Sequence, residues 1–166
     1  MPTSLQGIAK KAASHKGYRF RNLYGMLDED FLTQCWRDIR KEAATGVDQR
    51  SAQADEQHLD AHIHDLVERL TQKRYRATLV RRHALSTGAG PQRPWGIPAG
   101  EETLLPLAVA RLLEAIDEQD FLRCRDGYRP QVGALEAVDT LTLTRQCGRY
   151  AWVVDADITQ CCDDAS

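Results

Sequence analysis

A chain of 166 residues, 42% apolar and 28% charged, has the make-up of a globular domain with its own core, which excludes a chain disordered throughout. No run approaches the roughly 18 apolar residues of a membrane helix, and no apolar stretch follows the first lysines to make a secretory signal, so the expected compartment is cytoplasmic and no membrane partner is expected. The net charge of −2 excludes little, but the charges come in blocks.

Residues 1–17 are small and basic without a hydrophobic period and read as a flexible basic arm. Five bases (Lys10, Lys11, Lys16, Arg19, Arg21) precede Asp28 with no acid among them. Asp28 is an expected N-cap, with Glu29 and Asp30 in the first turn and Phe31, Leu32, Cys35, Trp36 and Ile39 at helical spacing. That helix is expected to stop around residues 43–48, with Gly46 in a left-handed C′ conformation. Leu59, Ile63, Leu66, Val67 and Leu70 predict a second helix, with His58, His62, Asp65 and Arg69 outward.

Residues 78–85 and 92–98, separated by Ser86-Thr87-Gly88-Ala89-Gly90-Pro91, predict a β-hairpin whose second arm is confined to an edge by its prolines. From Arg69 to Gly100 there are seven bases (Arg69, Lys73, Arg74, Arg76, Arg81, Arg82, Arg93) and no acid, with Tyr75 and Trp95 interleaved. Bases neutralise phosphates and aromatics stack, so this block is the expected RNA-binding groove, against the plainer reading of a solvated face. Leu104 to Ile116 predict a long core helix, with Pro106 placed in its first turn. A further helix from about Gly133 to Cys147 is expected to turn Leu135, Val138 and Leu141 inward. The five cysteines show no Cys-x-x-Cys spacing, so neither a disulfide framework nor a zinc site with His58, His62 and His64 has support in the spacing.

The last stretch, Tyr150-Ala151-Trp152-Val153-Val154-Asp155-Ala156-Asp157-Ile158, reads as a buried strand ending in acid. Alternation puts Asp155 and Asp157 on one face about 6.6 Å apart, where they repel by about 2 kcal/mol at an effective dielectric of 20. Mg²⁺ with oxygen ligands would relieve that repulsion. A strand end with solvated acids is the plainer alternative.

Five motifs fall in one order: Asn22-Leu23-Tyr24, Gly46-Val47-Asp48, Arg93-Pro94-Trp95-Gly96-Ile97-Pro98, Gly127-Tyr128-Arg129-Pro130 and Val154-Asp155-Ala156-Asp157-Ile158. Together they resemble the N-terminal half of a reverse transcriptase of the group II intron (maturase) type. The resemblance implies an α+β chain, the fingers/palm portion of a right-hand polymerase fold, mostly helical with a β-hairpin. Residues 18–149 would be fingers and early palm, and residues 150–166 the first palm strand, truncated. It implies RNA-directed DNA polymerase chemistry with Mg²⁺, an RNA template or intron RNA, a DNA primer and a dNTP. Asp157 matches the catalytic metal-binding aspartate, the Ile158 backbone carbonyl a further metal ligand, and Asp155 a weaker one. Arg93 matches the base that meets the nucleotide triphosphate, Cys162 a position beside the ribose, and Arg129 a position near the template. Arg81, Arg82, Lys73, Arg74 and Arg76 would hold RNA.

Departures from the pattern accompany these matches. Thr87, Pro91 and Gln92 stand where bases are customary in the hairpin, Cys161 and Cys162 where the family has Phe, and Thr103 and Pro106 where it has Arg and Gln. The second acidic motif, an aromatic-x-Asp-Asp turn, does not occur. The expectation is therefore a fragment inactive alone, and the alternatives are a non-catalytic intron-RNA-binding fragment or a degenerate remnant.

Overall fold

The computed structural model describes residues 4–41, 46, 55–85, 93–122, 124–148, 150 and 152–158. The chain divides into two compact units, Met1–Asp120 and Phe121–Ser166. Among the described residues the architecture is α+β: α-helices with one two-stranded antiparallel sheet.

The first unit holds α1 (Leu5–Ser14), a 3₁₀ turn (Leu23–Met26), α2 (Glu29–Trp36), α3 (Leu59–Thr71), strands β1 (Arg81–Leu85) and β2 (Arg93–Ile97), and α4 (Gly100–Asp117). α4 packs on α1 and α2, and α2 packs on α3. Ile8, Leu32, Cys35 and Leu66 are fully buried in the resulting core, with Trp36, Ile63, Leu70, Leu104 and Ala108 around them.

The basic arm expected at residues 1–17 is instead largely helical. Ser4 Oγ accepts a hydrogen bond from Gly7 N at 3.1 Å and caps α1. Leu5, Ile8 and Ala12 recur at helical spacing, and Ile8 and Ala12 are buried. Burying one isoleucine is worth about 1.5–3 kcal/mol and contributes to docking this short helix among its lysines. Lys16 extends the docking through a 2.7 Å ion pair to Asp120.

Asp28 caps α2 as expected, accepting from Phe31 N at 2.9 Å. α2 ends at Trp36, well before residue 43. Gly46 is buried and does not have a positive φ. Its small size serves close packing: a Cβ there would stand 2.6 Å from Ala99 Cα. α4 begins at Gly100, so Pro106 lies past the first turn, on an exposed face. The start is earlier than expected because Glu101 and Glu102 occupy the first turn, where the helix dipole favours negative charge.

The second unit contains α5 (Ala134–Cys147), at whose start Glu136 Oε2 accepts from Gly133 N at 2.9 Å. Its span matches the sequence, but its packing does not: Leu135, Val138 and Leu141 are all more than half exposed, and α5 buries no residue. An apolar face is buried only where a second layer covers it, and the described residues of this unit supply none. Residues 152–158 likewise form no strand, and Trp152 and Val154 are 88% exposed. Side chains of strand type had predicted a buried strand, but a strand also needs a neighbour to satisfy its backbone, and none is paired with it among the described residues.

Candidate nucleic-acid interface

The hairpin is built on an acidic foundation. Strand register pairs Arg81 with Ile97, Arg82 with Gly96, His83 with Trp95 and Leu85 with Arg93. Alternation therefore puts Arg81, His83 and Trp95 on one face and Arg82 on the other. Trp95 is 57% exposed, and Arg81 and Arg82 are exposed. The sheet thus presents guanidinium groups on both faces, with an aromatic platform beside Arg81 only. The connecting residues 86–92, with Thr87, Pro91 and Gln92, lie outside the described residues.

Two adjacent glutamates fasten the hairpin's base. Glu102 accepts from Tyr75 Oη at 2.8 Å, from Thr78 N at 2.8 Å and from Thr78 Oγ1 at 3.2 Å. Burial, then the Glu102 hydrogen bond, push the Tyr75 hydroxyl well above its usual range, so it remains a donor. Glu101 takes a two-pronged ion pair from Arg69, at 2.9 and 2.6 Å, and Asp65 takes Arg69 Nε at 2.7 Å. These bonds, the one to Glu101 foremost, hold Arg69 above its already high range. Arg69 is therefore a structural base, drawn out of the expected RNA-binding block by acids from outside it.

Lys73 occupies a left-handed position at φ 56 just past α3. Its N–H donates to Leu70 O at 2.9 Å and that of Arg74 to Arg69 O at 2.9 Å, the paired bonds of a Schellman ending. Tyr24, from the Asn22-Leu23-Tyr24 motif, donates to the same Leu70 carbonyl at 2.6 Å. Lys73, Arg74 and Arg76 are exposed around this turn, and the Arg74 guanidinium reaches Gln72. Arg111, on the acidic helix, pairs with Asp38 and approaches Cys35 Sγ at 3.7 Å.

A cleft of about 540 Å³ opens beside Trp36, Leu66, Leu79 and Leu104, and its charged lining is Asp55, Asp65 and Glu101 with His62. The lining holds no lysine or arginine, so the cleft offers a phosphate backbone no permanent positive charge. The hairpin and the turn after α3 both present exposed bases of this unit.

Comparison with known proteins places these features in context. Over 103 residues, 61% of the chain, the sequence is 32% identical to the group II intron-encoded protein LtrA of Lactococcus lactis subsp. cremoris, covering 17% of that protein. The chain is similar in part to a group II intron-encoded protein. Over 159 residues, 92% of the chain, it is 29% identical to protein YkfC of Escherichia coli strain K12 and covers 42% of it. The chain thus spans less than half the length of the curated relatives it matches. No protein-family model matches it. No described helix is long and apolar enough to cross a membrane.

The second unit carries the remaining site residues. Asp155 and Asp157 are exposed, and Asp157 Oδ1 accepts from Ile158 N at 2.9 Å. As hard oxygen donors the two carboxylates and the Ile158 carbonyl suit Mg²⁺. In number they fall short, since no group of three His, Cys, Asp or Glu side chains able to hold a metal is brought together among the described residues. Cys162 lies outside them. Arg129 Nη1 donates to Arg125 O at 3.1 Å, and both guanidinium groups lie near the Phe121 ring. Sequence reasoning missed Arg125, Phe121 and the two fastening glutamates. The glutamates' only local signal was their place directly after Pro98-Ala99-Gly100, where a helix begins.

Proposed function

We propose that this chain is the fingers and the start of the palm of a reverse transcriptase/maturase of the group II intron type, and that it holds RNA through its hairpin and the basic turn after α3. The observation that carries this reading is the 32% identity to a group II intron-encoded protein over 103 residues. The five ordered motifs support it, and so does the exposure of Arg81, Arg82, Lys73, Arg74 and Arg76 while Arg69 is tied to acids.

On this reading Arg93 would meet the triphosphate of a dNTP with the fixed fork of a guanidinium, Cys162 would sit beside the sugar and Arg129 near the template. Asp157, with the Ile158 carbonyl and Asp155, would hold Mg²⁺, which supplies charge neutralisation at the reacting phosphate during transfer to a DNA primer. A second reading, intron-RNA binding without catalysis, is favoured by the exposure of Asp155 and Asp157 and by the absence of a third ligand among the described residues.

The test compares this chain with a fusion to the downstream part of LtrA, each with Asp157 or Asp157→Ala, on an RNA template with a DNA primer and Mg²⁺. Extension by the fusion alone, lost in its Asp157→Ala form, supports the first reading. RNA binding without extension by the fusion supports the second. Extension that survives Asp157→Ala overturns the assignment of that aspartate.

A further inference from the structure

We propose that the cleft between α3 and the start of α4 is a binding site for a small amphipathic amine, an aliphatic body carrying one ammonium group. The inference is independent of the RNA-binding reading, which uses the bases of the hairpin and of the turn after α3.

The cleft joins an apolar body to acids that are unequally paired. Its volume of about 540 Å³ falls within the roughly 300–1,000 Å³ of small-molecule sites. Trp36, Leu66 and Leu104 are buried along it, while Leu79 in its lining is 83% exposed and leaves that wall open to a ligand. Among the described residues the acids of the lining are Asp55, Asp65 and Glu101. Arg69 already donates to Glu101 through both terminal nitrogens and to Asp65 through Nε. Asp55 has no such partner: its side chain is 14% exposed, and the ion-pair contact it makes is to His62 Nδ1 at 3.8 Å, too long for a hydrogen bond and charged only when the imidazole is protonated.

The place of that carboxylate is fixed by Gly100, the first residue of α4. A Cβ there would stand 2.8 Å from Asp55 Oδ2 and 3.7 Å from Trp36 Cη2, so the carboxylate and the indole ring flank one point of the cleft. A helix N-terminus offers about half a positive charge, which leaves part of the Asp55 charge unmatched in a largely covered position, where unmatched charge is costly. An ammonium supplies the missing charge, and its aliphatic stem covers the leucines. An anionic ligand would meet the acids with no lysine or arginine in the lining to hold it, and a neutral hydrocarbon would leave Asp55 as it is. The amine alone uses both parts of the cleft.

The test titrates the whole chain, at about pH 8 where an alkylammonium keeps its charge, with octylammonium, octanol and octanoate, ligands of one length that differ in charge. Trp95→Phe and Trp152→Phe are present throughout, both at exposed positions, so that Trp36 is the remaining tryptophan and reports from the cleft. Octylammonium is expected to bind about 10-fold tighter than octanol, and octanoate more weakly than either. Asp55→Asn is expected to abolish the preference for the amine and leave octanol unchanged. Leu79→Ser, at a position too exposed to carry the fold, is expected to weaken octylammonium and octanol alike, by about 3- to 10-fold. Octanol or octanoate binding as tightly as octylammonium, or an amine preference that survives Asp55→Asn, would overturn the amine assignment. If millimolar octylammonium leaves the Trp36 emission unchanged, or if Leu79→Ser binds it like the parent, the cleft is not the site, whatever the chain does with RNA.

Discussion

Gly46 packs so tightly on Ala99 that a Cβ at position 46 would stand 2.6 Å from Ala99 Cα and 2.7 Å from the Pro98 carbonyl oxygen. Two motifs about fifty residues apart in sequence thus meet backbone to backbone at the start of α4. Gly46→Ala must push that backbone aside, and an overpacked contact of this kind costs about 2–3 kcal/mol. Gly127→Ala, with nothing within 4 Å of the added atom, serves as the control and should stay within roughly 0.5 kcal/mol. Urea unfolding of the two variants measures the difference, and equal midpoints would contradict the close approach.

Lys73 holds a left-handed conformation that a side chain disfavours, because the Schellman ending of α3 requires it. Lys73→Gly relieves a Cβ clash of about 1–2 kcal/mol and returns part of it as extra freedom in the unfolded chain. The expected net gain is about 0.5–1 kcal/mol in thermal unfolding. If Lys73 also meets RNA, the same variant binds RNA less tightly while being more stable, two effects of opposite sign in one protein.

His64 Nδ1 stands 2.6 Å from Glu29 Oε1, joining α3 to the first turn of α2. The hydrogen bond and the charge of Glu29 hold the imidazolium above its ordinary value of 6.5. Because the folded value is the higher one, the stabilisation is present in full below the unfolded value and is lost as pH rises through the folded one. The midpoint Tm of the unaltered chain should therefore fall more between about pH 6 and 8 than that of Glu29→Gln, which lacks the charge. Identical slopes would show that the pair does not couple to folding.

Helices were legible where a single face decided them. α3 and the N-cap of α2 followed from the spacing of Ile63, Leu66 and Leu70 and from Asp28. α1 was not, because its apolar set is only Leu5, Ile8 and Ala12 among lysines, and its burial depends on a helix a hundred residues later. The second unit failed in the opposite direction: strand-type and helix-type residues are present, but a residue's inclination to be buried says nothing about whether a layer covers it. At the candidate interface the basic block was readable as charge. That Arg69 belongs to Glu101 and Asp65 was not, since its main partner lies 32 positions away.

Glu102 reaches back 24 residues to Thr78 and 27 to Tyr75. During synthesis β1 leaves the ribosome well before the carboxylate that secures it exists, so the hairpin's base stays loose until the first turn of α4 has emerged. In the finished protein that dependence ties two elements together: losing the first turn of α4 also removes the acceptor of the Thr78 amide, so the Thr78 amide and that turn are expected to share one opening free energy in hydrogen exchange.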